Sequence, residues 1–195
     1  MTPEASLMVR VADALAAADI PFLLAGSFSS NYYGIPRSTK DADFVVQLRG
    51  GVGGDFAARL GVDFEIDPQL SFETNTGTYR QVIKHTRSPF KVELFLLSND
   101  PHDQARFRRR VAVDAYGRCI WLPTAEDVIV MKLRWARGRD RDDVRAVMGV
   151  QGDKLDWPYI EGWCERHGTR VSGCTVIDGG GSTVNDGEEC RRSLT

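Results

Sequence analysis

The sequence predicts an α/β fold, a short mixed β-sheet flanked by helices and followed by a small helical region. Three observations point there. Short apolar runs that end at glycine alternate with helical stretches in the first half of the chain. Residues Asp41 to Leu48 alternate in polarity like a half-buried strand. From Thr124 onward the apolar period is helical and stays so.

The first helix starts at Thr2, a capping residue, with Pro3 in its first turn. Leu7, Val11, Leu15 and Ala18 follow at helical spacing, and Asp19 and Pro21 end it. Phe22-Leu23-Leu24-Ala25 is apolar throughout and stops at Gly26, as a buried strand does. Residues 27–34 suit a short helix closed by Gly34, and Pro36 forbids its continuation. In the strand Asp41–Leu48, Ala42, Phe44, Val46 and Leu48 face one way. Asp41, Asp43, Val45 and Gln47 face the other. Gly50 to Gly54 forms a turn before a weak helix near Phe56–Leu60. Further strands are expected at Tyr79–His85 and Lys91–Leu97, and Phe107–Ala115 with Cys119–Trp121 suit edge strands or a hairpin around Tyr116-Gly117. A helix with Val128, Ile129, Met131, Leu133 and Trp135 begins after Thr124, and Gly138 interrupts it. A second begins at Arg139, and a third spans Trp157–Arg166 with Ile160 and Trp163 as its stripe. The expected organisation is a core over residues 1–123, a helical region over 124–168 packing on it, and a loosely ordered tail over 169–195, with room for a strand near Cys174–Ile177.

Composition narrows the partners. The chain has 195 residues, 42% of them hydrophobic, 27% charged, and a net charge of −2. That suits one compact domain and gives no global reason for a nucleic acid or membrane surface as partner. Cys119, Cys164, Cys174 and Cys190 are far apart, without a Cys-x-x-Cys pair, so neither a disulfide framework nor a zinc site is expected. No signal peptide or spanning segment is expected, and the cytoplasm is the expected compartment.

The chemistry concentrates between Gly26 and Asp43. A strand that gives way to a helix at Gly26-Ser27 presents free backbone N–H groups and the positive end of a helix dipole to an anion. Glycine allows close approach, and the Ser27 hydroxyl adds a hydrogen bond. Asp41 and Asp43, two residues apart on one strand, leave the same face about 6.5 Å apart. Such carboxylates can hold Mg²⁺ or Mn²⁺, which take hard oxygen ligands and share them with substrate phosphates. Glu93 on the strand Lys91–Phe95 completes a set of three acids if that strand lies beside the first. Three acids with divalent metal are a device for phosphoryl and nucleotidyl transfer. Each item alone has a plainer reading: a turn, a solvated strand face, an exposed carboxylate. The order of the elements carries the weight.

Leu24-Ala25-Gly26-Ser27, then Gly34-Ile35-Pro36-Arg37-Ser38-Thr39-Lys40-Asp41-Ala42-Asp43, resembles the motif of the nucleotidyltransferase superfamily, in particular its small bacterial AbiEii-like branch. The resemblance continues at Lys91–Phe95, at Lys132-Leu133-Arg134 and at Arg139-Asp140-x-x-Asp143, over roughly residues 20–165. It implies that Gly26 and Ser27 hold triphosphate, with Arg37 and Thr39 on the adjoining loop. It implies that Asp41, Asp43 and Glu93 serve metal and catalysis, that Lys132 reaches a phosphate or base, and that Asp140 supports the site. Glu93 departs from the commoner Asp and sits one methylene farther out.

The helical segment also admits plainer assignments. Thr124-x-x-Asp127 is a capping box. Arg139–Asp143 could be a salt-bridged solvated face, and Lys132 either snorkels to water or points into a cleft. The basic run Arg106–Arg110 is expected on an edge strand, and His85 and His102 as isolated structural or surface residues. The expected reaction is transfer of a nucleoside monophosphate to an RNA, protein or small-molecule acceptor. The rival is a non-catalytic nucleotide- or partner-binding module, with an antitoxin as a possible partner.

Overall fold

A computed structural model describes residues 2–74 and 76–169 of the chain. Its elements are α1 (Pro3–Ala17), β1 (Phe22–Leu24), α2 (Gly26–Tyr33), β2 (Asp41–Val46), α3 (Gly54–Leu60), β3 (Phe64–Ile66), β4 (Ser71–Glu73), β5 (Thr78–His85), β6 (Lys91–Leu96), α4 (Pro101–Arg109), β7 (Val111–Ala115), β8 (Arg118–Leu122), α5 (Ala125–Trp135), α6 (Gly138–Gln151) and α7 (Trp157–Arg166). The strand expected near Cys174–Ile177 and the tail lie outside the described residues.

The main sheet runs β1-β2-β6-β5-β3, with β4 also paired to β5. Strands β2 and β6 are parallel, and the other pairs in this sheet are antiparallel. The alternation of β2 sorts its side chains as the sequence implies. Ala42, Phe44 and Val46 join Val92 and Leu94 of β6 and Ile83 of β5 on the core face. That face is covered by Met8, Val11 and Leu15 of α1 and by Phe56 and Leu60 of α3. The opposite face carries the acids. Thr2 caps α1 by accepting from the Ala5 amide at 3.2 Å, and Tyr116 and Gly117 have φ of 57° and 71°, the pair of positive values that closes a tight β7–β8 hairpin.

The helical region has its own core, in which Val128, Ile129 and Leu133 of α5 meet Val144 and Val147 of α6 and Ile160 and Cys164 of α7. It reaches the sheet domain through α2. A Cβ on Gly34 would lie 3.0 Å from the Val147 backbone nitrogen, so the end of α2 rests directly on α6. Tyr33 donates its hydroxyl hydrogen to the Pro123 carbonyl at 2.9 Å, and Gln151 donates to the Tyr33 carbonyl at 2.7 Å. No helix among the described residues is long and apolar enough to cross a membrane. Cys119 and Cys164 are free thiols, exposed and buried respectively.

Three elements depart from the sequence reading: the short strands β3 and β4, which it did not anticipate, and α4. The run Arg106–Arg110 and Phe107 do not belong to an edge strand, because α4 extends through Arg109 and the strand starts at Val111. The buried face of α4 is His102, Asp103, Arg106 and Phe107, so no apolar period announces it. Its usable signal was Asp100-Pro101. Asp100 caps the His102 and Asp103 amides at 2.9 and 3.1 Å, and Pro101 fills the first turn. His102 is also less isolated than expected. Its Nε2 lies 3.0 Å from Asp127 Oδ1, and its ring packs against Trp163 and His167. Asp127 combines the expected cap with this role, since Thr124 accepts from its amide at 3.3 Å while Tyr159 donates to its Oδ1 at 2.7 Å. Burial raises its carboxyl, but the bonds from His102 and Tyr159 outweigh that and hold it below the usual range.

Because Asp127 is fully buried, Asp127→Ala orphans His102 and Tyr159 at once. The expected cost is about 2–4 kcal/mol of unfolding free energy, against about 1 kcal/mol for Thr124→Ala, which removes mainly a cap. Urea denaturation of the two variants measures the difference.

Candidate active site

The junction of β1 and α2 is built around a glycine. Gly26 has φ of +61°, and a Cβ there would lie 2.1 Å from Asp43 Oδ2. Only glycine combines that backbone with that approach. The Ala25 amide donates to the Asp43 carbonyl at 2.7 Å, which continues the β1–β2 pairing and draws the turn onto the acid. The N-terminus of α2 therefore opens beside the Asp43 carboxylate. Asp41 lies one pleat away on the same face, and Thr39 fixes it by donating to Asp41 Oδ1 at 2.8 Å.

Parallel pairing sets Asp43 opposite Glu93 and Asp41 opposite Lys91, so all three acids project from one face. Glu93 is not free to turn toward the aspartates. Its Oε1 accepts from Arg80 Nη1 and from Lys91 Nζ, each at 2.9 Å. Among the described residues no three His, Cys, Asp or Glu side chains converge as a ready metal-ligand set. The acids nevertheless crowd one another. Burial first, then the charges of Asp41 and Glu93, push the Asp43 carboxyl up to about 7, with Lys132 and Lys91 opposing.

A second set of charges adjoins the turn. Arg37 forms a fork with Asp143, Nε to Oδ1 at 2.7 Å and Nη2 to Oδ2 at 2.9 Å, and Nη2 also donates to Ser27 Oγ at 3.0 Å. Asn31 of α2 brackets Arg37, donating to its carbonyl at 2.7 Å and accepting from its amide at 3.1 Å. Lys132 is buried and donates to Asp143 at 2.7 Å and to Asp140 at 3.0 Å. Arg137 completes the chain on Asp140, with Nε 2.7 Å from Oδ2. Burial raises the Asp143 carboxyl, but the bonds from Arg37 and Lys132 outweigh it and bring it down to about 2. The hydrogen bond to Asp143 in turn raises Arg37.

Most of these groups border one cleft of about 1360 Å³, and Asp143 lies behind its lining as the partner of Arg37 and Lys132. The residues singled out from the sequence, Gly26, Ser27, Arg37, Thr39, Asp41, Asp43, Glu93, Lys132 and Asp140, all line it. Of the alternatives for the helical segment, the solvated face fails for Asp140 and Asp143, which are 1% and 5% exposed. Lys132 points inward. Sequence reasoning passed over Arg80, Lys91, Trp135 and Arg137 as cleft residues, and Asp143 as the partner of Arg37. For Asp143 a signal existed, because it stands three residues after Asp140 and shares its helix face. For Arg80 none did, since only the register of β5 against β6 brings it to Glu93.

The arrangement suits a polyphosphate with a divalent cation. Hard oxygens from Asp41 and Asp43, in a pocket where a side chain on Gly26 would collide, match Mg²⁺ or Mn²⁺. Burial and the neighbouring acids that raise Asp43 are what a cation would offset.

Gly26→Ala forces a side chain into the Asp43 carboxylate and into positive φ. It should cost about 1–3 kcal/mol in stability and weaken binding of Mn²⁺ with inorganic tripolyphosphate, measured by calorimetry. A pH prediction follows from Asp43. Between its unfolded value of 3.8 and its folded value of about 7, the metal-free fold binds a proton that the unfolded chain has released. Its contribution is therefore lost as pH rises through that window. Asp43→Asn should melt higher than the parent at pH 8 without metal, with the gap closing toward pH 4. A gap independent of pH would show that the buried, crowded charge at Asp43 is not its source.

No protein-family model matches the sequence, and no curated protein is similar to it at the sequence level. Solved structures match the fold. ANT(2'')-Ia, crystallised in complex with adenylyl-2''-tobramycin, aligns with a TM-score of 0.54 at 10% identity, over 85% of this chain and 97% of that one. JHP933 from Helicobacter pylori aligns with a TM-score of 0.54 at 16% identity, over 84% and 72%. A candidate nucleotidyltransferase from H. pylori gives 0.53 at 15%, over 84% and 74%. The mixed sheet with its helices is the nucleotidyltransferase fold of these neighbours.

Proposed function

We propose that the protein transfers a nucleoside monophosphate from a nucleoside triphosphate to an acceptor hydroxyl, with Mg²⁺ or Mn²⁺ held by Asp41 and Asp43. The observation that carries this reading is the contact of the Gly26-Ser27 turn with the Asp43 carboxylate, which sets an anion site against a cation site in one cleft. The nucleotidyltransferase fold of the neighbours supports nucleotide transfer in general.

In the reaction, an oxygen of the acceptor bonds to the α-phosphorus as the bond to the β-phosphate bridge breaks, and pyrophosphate leaves. The backbone amides at the start of α2 and the Ser27 hydroxyl orient the phosphates. Arg37 and Lys132 are held in place by Asp143 and Asp140 and meet the phosphates without reorganising, and Arg137 leaves this chain one positive charge in surplus. Glu93 is the carboxylate assigned to the departing hydroxyl proton. The bound metal supplies charge neutralisation on the phosphates and a lowered pKa for the hydroxyl. The acceptor classes in view are RNA, protein and small molecules, and the AbiEii-like branch remains the proposed kinship.

One observation favours a second reading. Glu93 is tied by Arg80 and Lys91, and among the described residues no three acids converge as a metal-ligand set. A nucleotide- or partner-binding module without turnover, paired with an antitoxin, would need nothing more. Calorimetry with Mg-ATP, Mg-CTP and Mg-GTP, followed by incubation of labelled triphosphates with tRNA or protein, separates the two. Label transfer supports the enzyme, and binding without transfer supports the module.

Asp41→Asn keeps shape and removes a metal-ligating charge. It should leave the melting temperature within a few degrees while transfer falls by at least roughly a hundredfold. Transfer at the parental rate in that variant overturns the assignment.

A further inference from the structure

Glu93 shares a rung and a face with Asp43, yet its carboxylate is held to one side. Both restraining cations bind the same oxygen, Oε1, and among the described residues nothing donates to Oε2. Two cations on one carboxylate leave a positive charge unbalanced. Arg80 is also under-used: among the described residues its Nε is buried without a hydrogen-bond partner, and it engages Glu93 through one terminal nitrogen, although a guanidinium offers five donors in a fork suited to phosphate. The cations are the accessible members of the cluster, with side-chain exposures of 34% for Arg80 and 45% for Lys91 against 10% for Glu93. Ion pairs this exposed are individually weak. A multiply charged phosphoryl group in the cleft therefore meets the cations first and competes well for them against a single carboxylate.

Resting on the reading of the cleft as a metal–triphosphate centre, we propose that Arg80 and Lys91 are a phosphate-binding pair that restrains Glu93 until a phosphoryl group displaces it. The third carboxylate then joins Asp41 and Asp43 only when an anionic substrate is in place. Without substrate the two cations damp the repulsion among the three acids and keep the metal set incomplete. With substrate, Glu93 loses its cationic partners at the moment a divalent cation needs another oxygen. The recognised chemistry is phosphoryl oxygen, supplied by the triphosphate or by a phosphate on the acceptor.

The test uses the full chain, with Arg80→Gln, Lys91→Gln and the double variant Arg80→Gln/Glu93→Gln, each checked for a parental circular dichroism spectrum. Binding of Mn²⁺ alone is followed by electron paramagnetic resonance. Binding of inorganic tripolyphosphate and of ribose 5-phosphate is followed by calorimetry in EDTA. Release of Glu93 should tighten Mn²⁺ binding roughly tenfold in either single variant, the equivalent of one charge-assisted hydrogen bond, and the double variant should lose that gain. The same single variants should bind tripolyphosphate about tenfold more weakly. A loss confined to ribose 5-phosphate would assign the pair to the acceptor's phosphate instead. A gain that persists without Glu93 reflects bulk charge and overturns the proposal, as does unchanged affinity for Mn²⁺ or for both anions. If no form binds Mn²⁺ or tripolyphosphate, the metal–triphosphate reading falls as well; if the parent binds both and the substitutions change neither, only the restraint falls.

Discussion

The alternating charge chain Arg37–Asp143–Lys132–Asp140–Arg137 is the constraint on which the rest of the site depends. It joins the loop after α2 to α5 and α6, and it sits where Gly34 lets α2 rest on α6. Two buried carboxylates and a buried ammonium would each cost several kcal/mol if unpaired. Each has partners on both sides, so the cheapest arrangement is the one in which the helical region docks with this register. Because Arg37 also holds Ser27 Oγ, docking of the helices and the shape of the phosphate turn are one event. A helical bundle shifted by a turn would leave Lys132 and Asp143 buried and alone.

Beside this fully paired chain lies a cluster in which acids predominate. Asp143 and Asp43 are the same side chain at one site, yet Asp143 is brought down to about 2 and Asp43 is pushed up to about 7. The difference lies in the partners. Burial raises both, but Asp143 has an arginine fork and a lysine within hydrogen-bonding distance, whereas Asp43 has two other carboxylates nearby and, among the described residues, no direct cationic bond. Environments that push like groups apart in this way are common at catalytic and binding sites. Here the contrast divides the cleft into a wall that is already satisfied and a wall that lacks a counter-ion. Arg80 and Lys91 bond directly to Glu93, and Lys91 opposes the rise at Asp43 only through its charge.

Helix α4 and the short strands β3 and β4 mark where reading by pattern stops. A helix that buries His102, Asp103 and Arg106 has no apolar stripe, because its inward face is satisfied by hydrogen bonds. Arg106, for example, donates to Asp103 at 2.9 Å. Hydrophobic periodicity cannot register burial achieved that way, although the cap and proline at Asp100-Pro101 could. Strands of three residues, as in Phe64–Ile66 and Ser71–Glu73, are too short for alternation to stand out, and their place is decided by pairing with β5.

What the sequence determined by itself was local. The glycine at a strand end, the alternation that puts Asp41 and Asp43 on one face, and the Thr124 cap before an apolar helix are all consequences of backbone geometry within a few residues. The tertiary structure decided which distant groups meet. Parallel pairing of β2 with β6 set Glu93 opposite Asp43, antiparallel pairing brought Arg80 to it, and docking of α6 delivered Asp143 to Arg37. Register and docking follow from core packing and from satisfying buried charge, both summed over the whole molecule. No spacing along the chain encodes them.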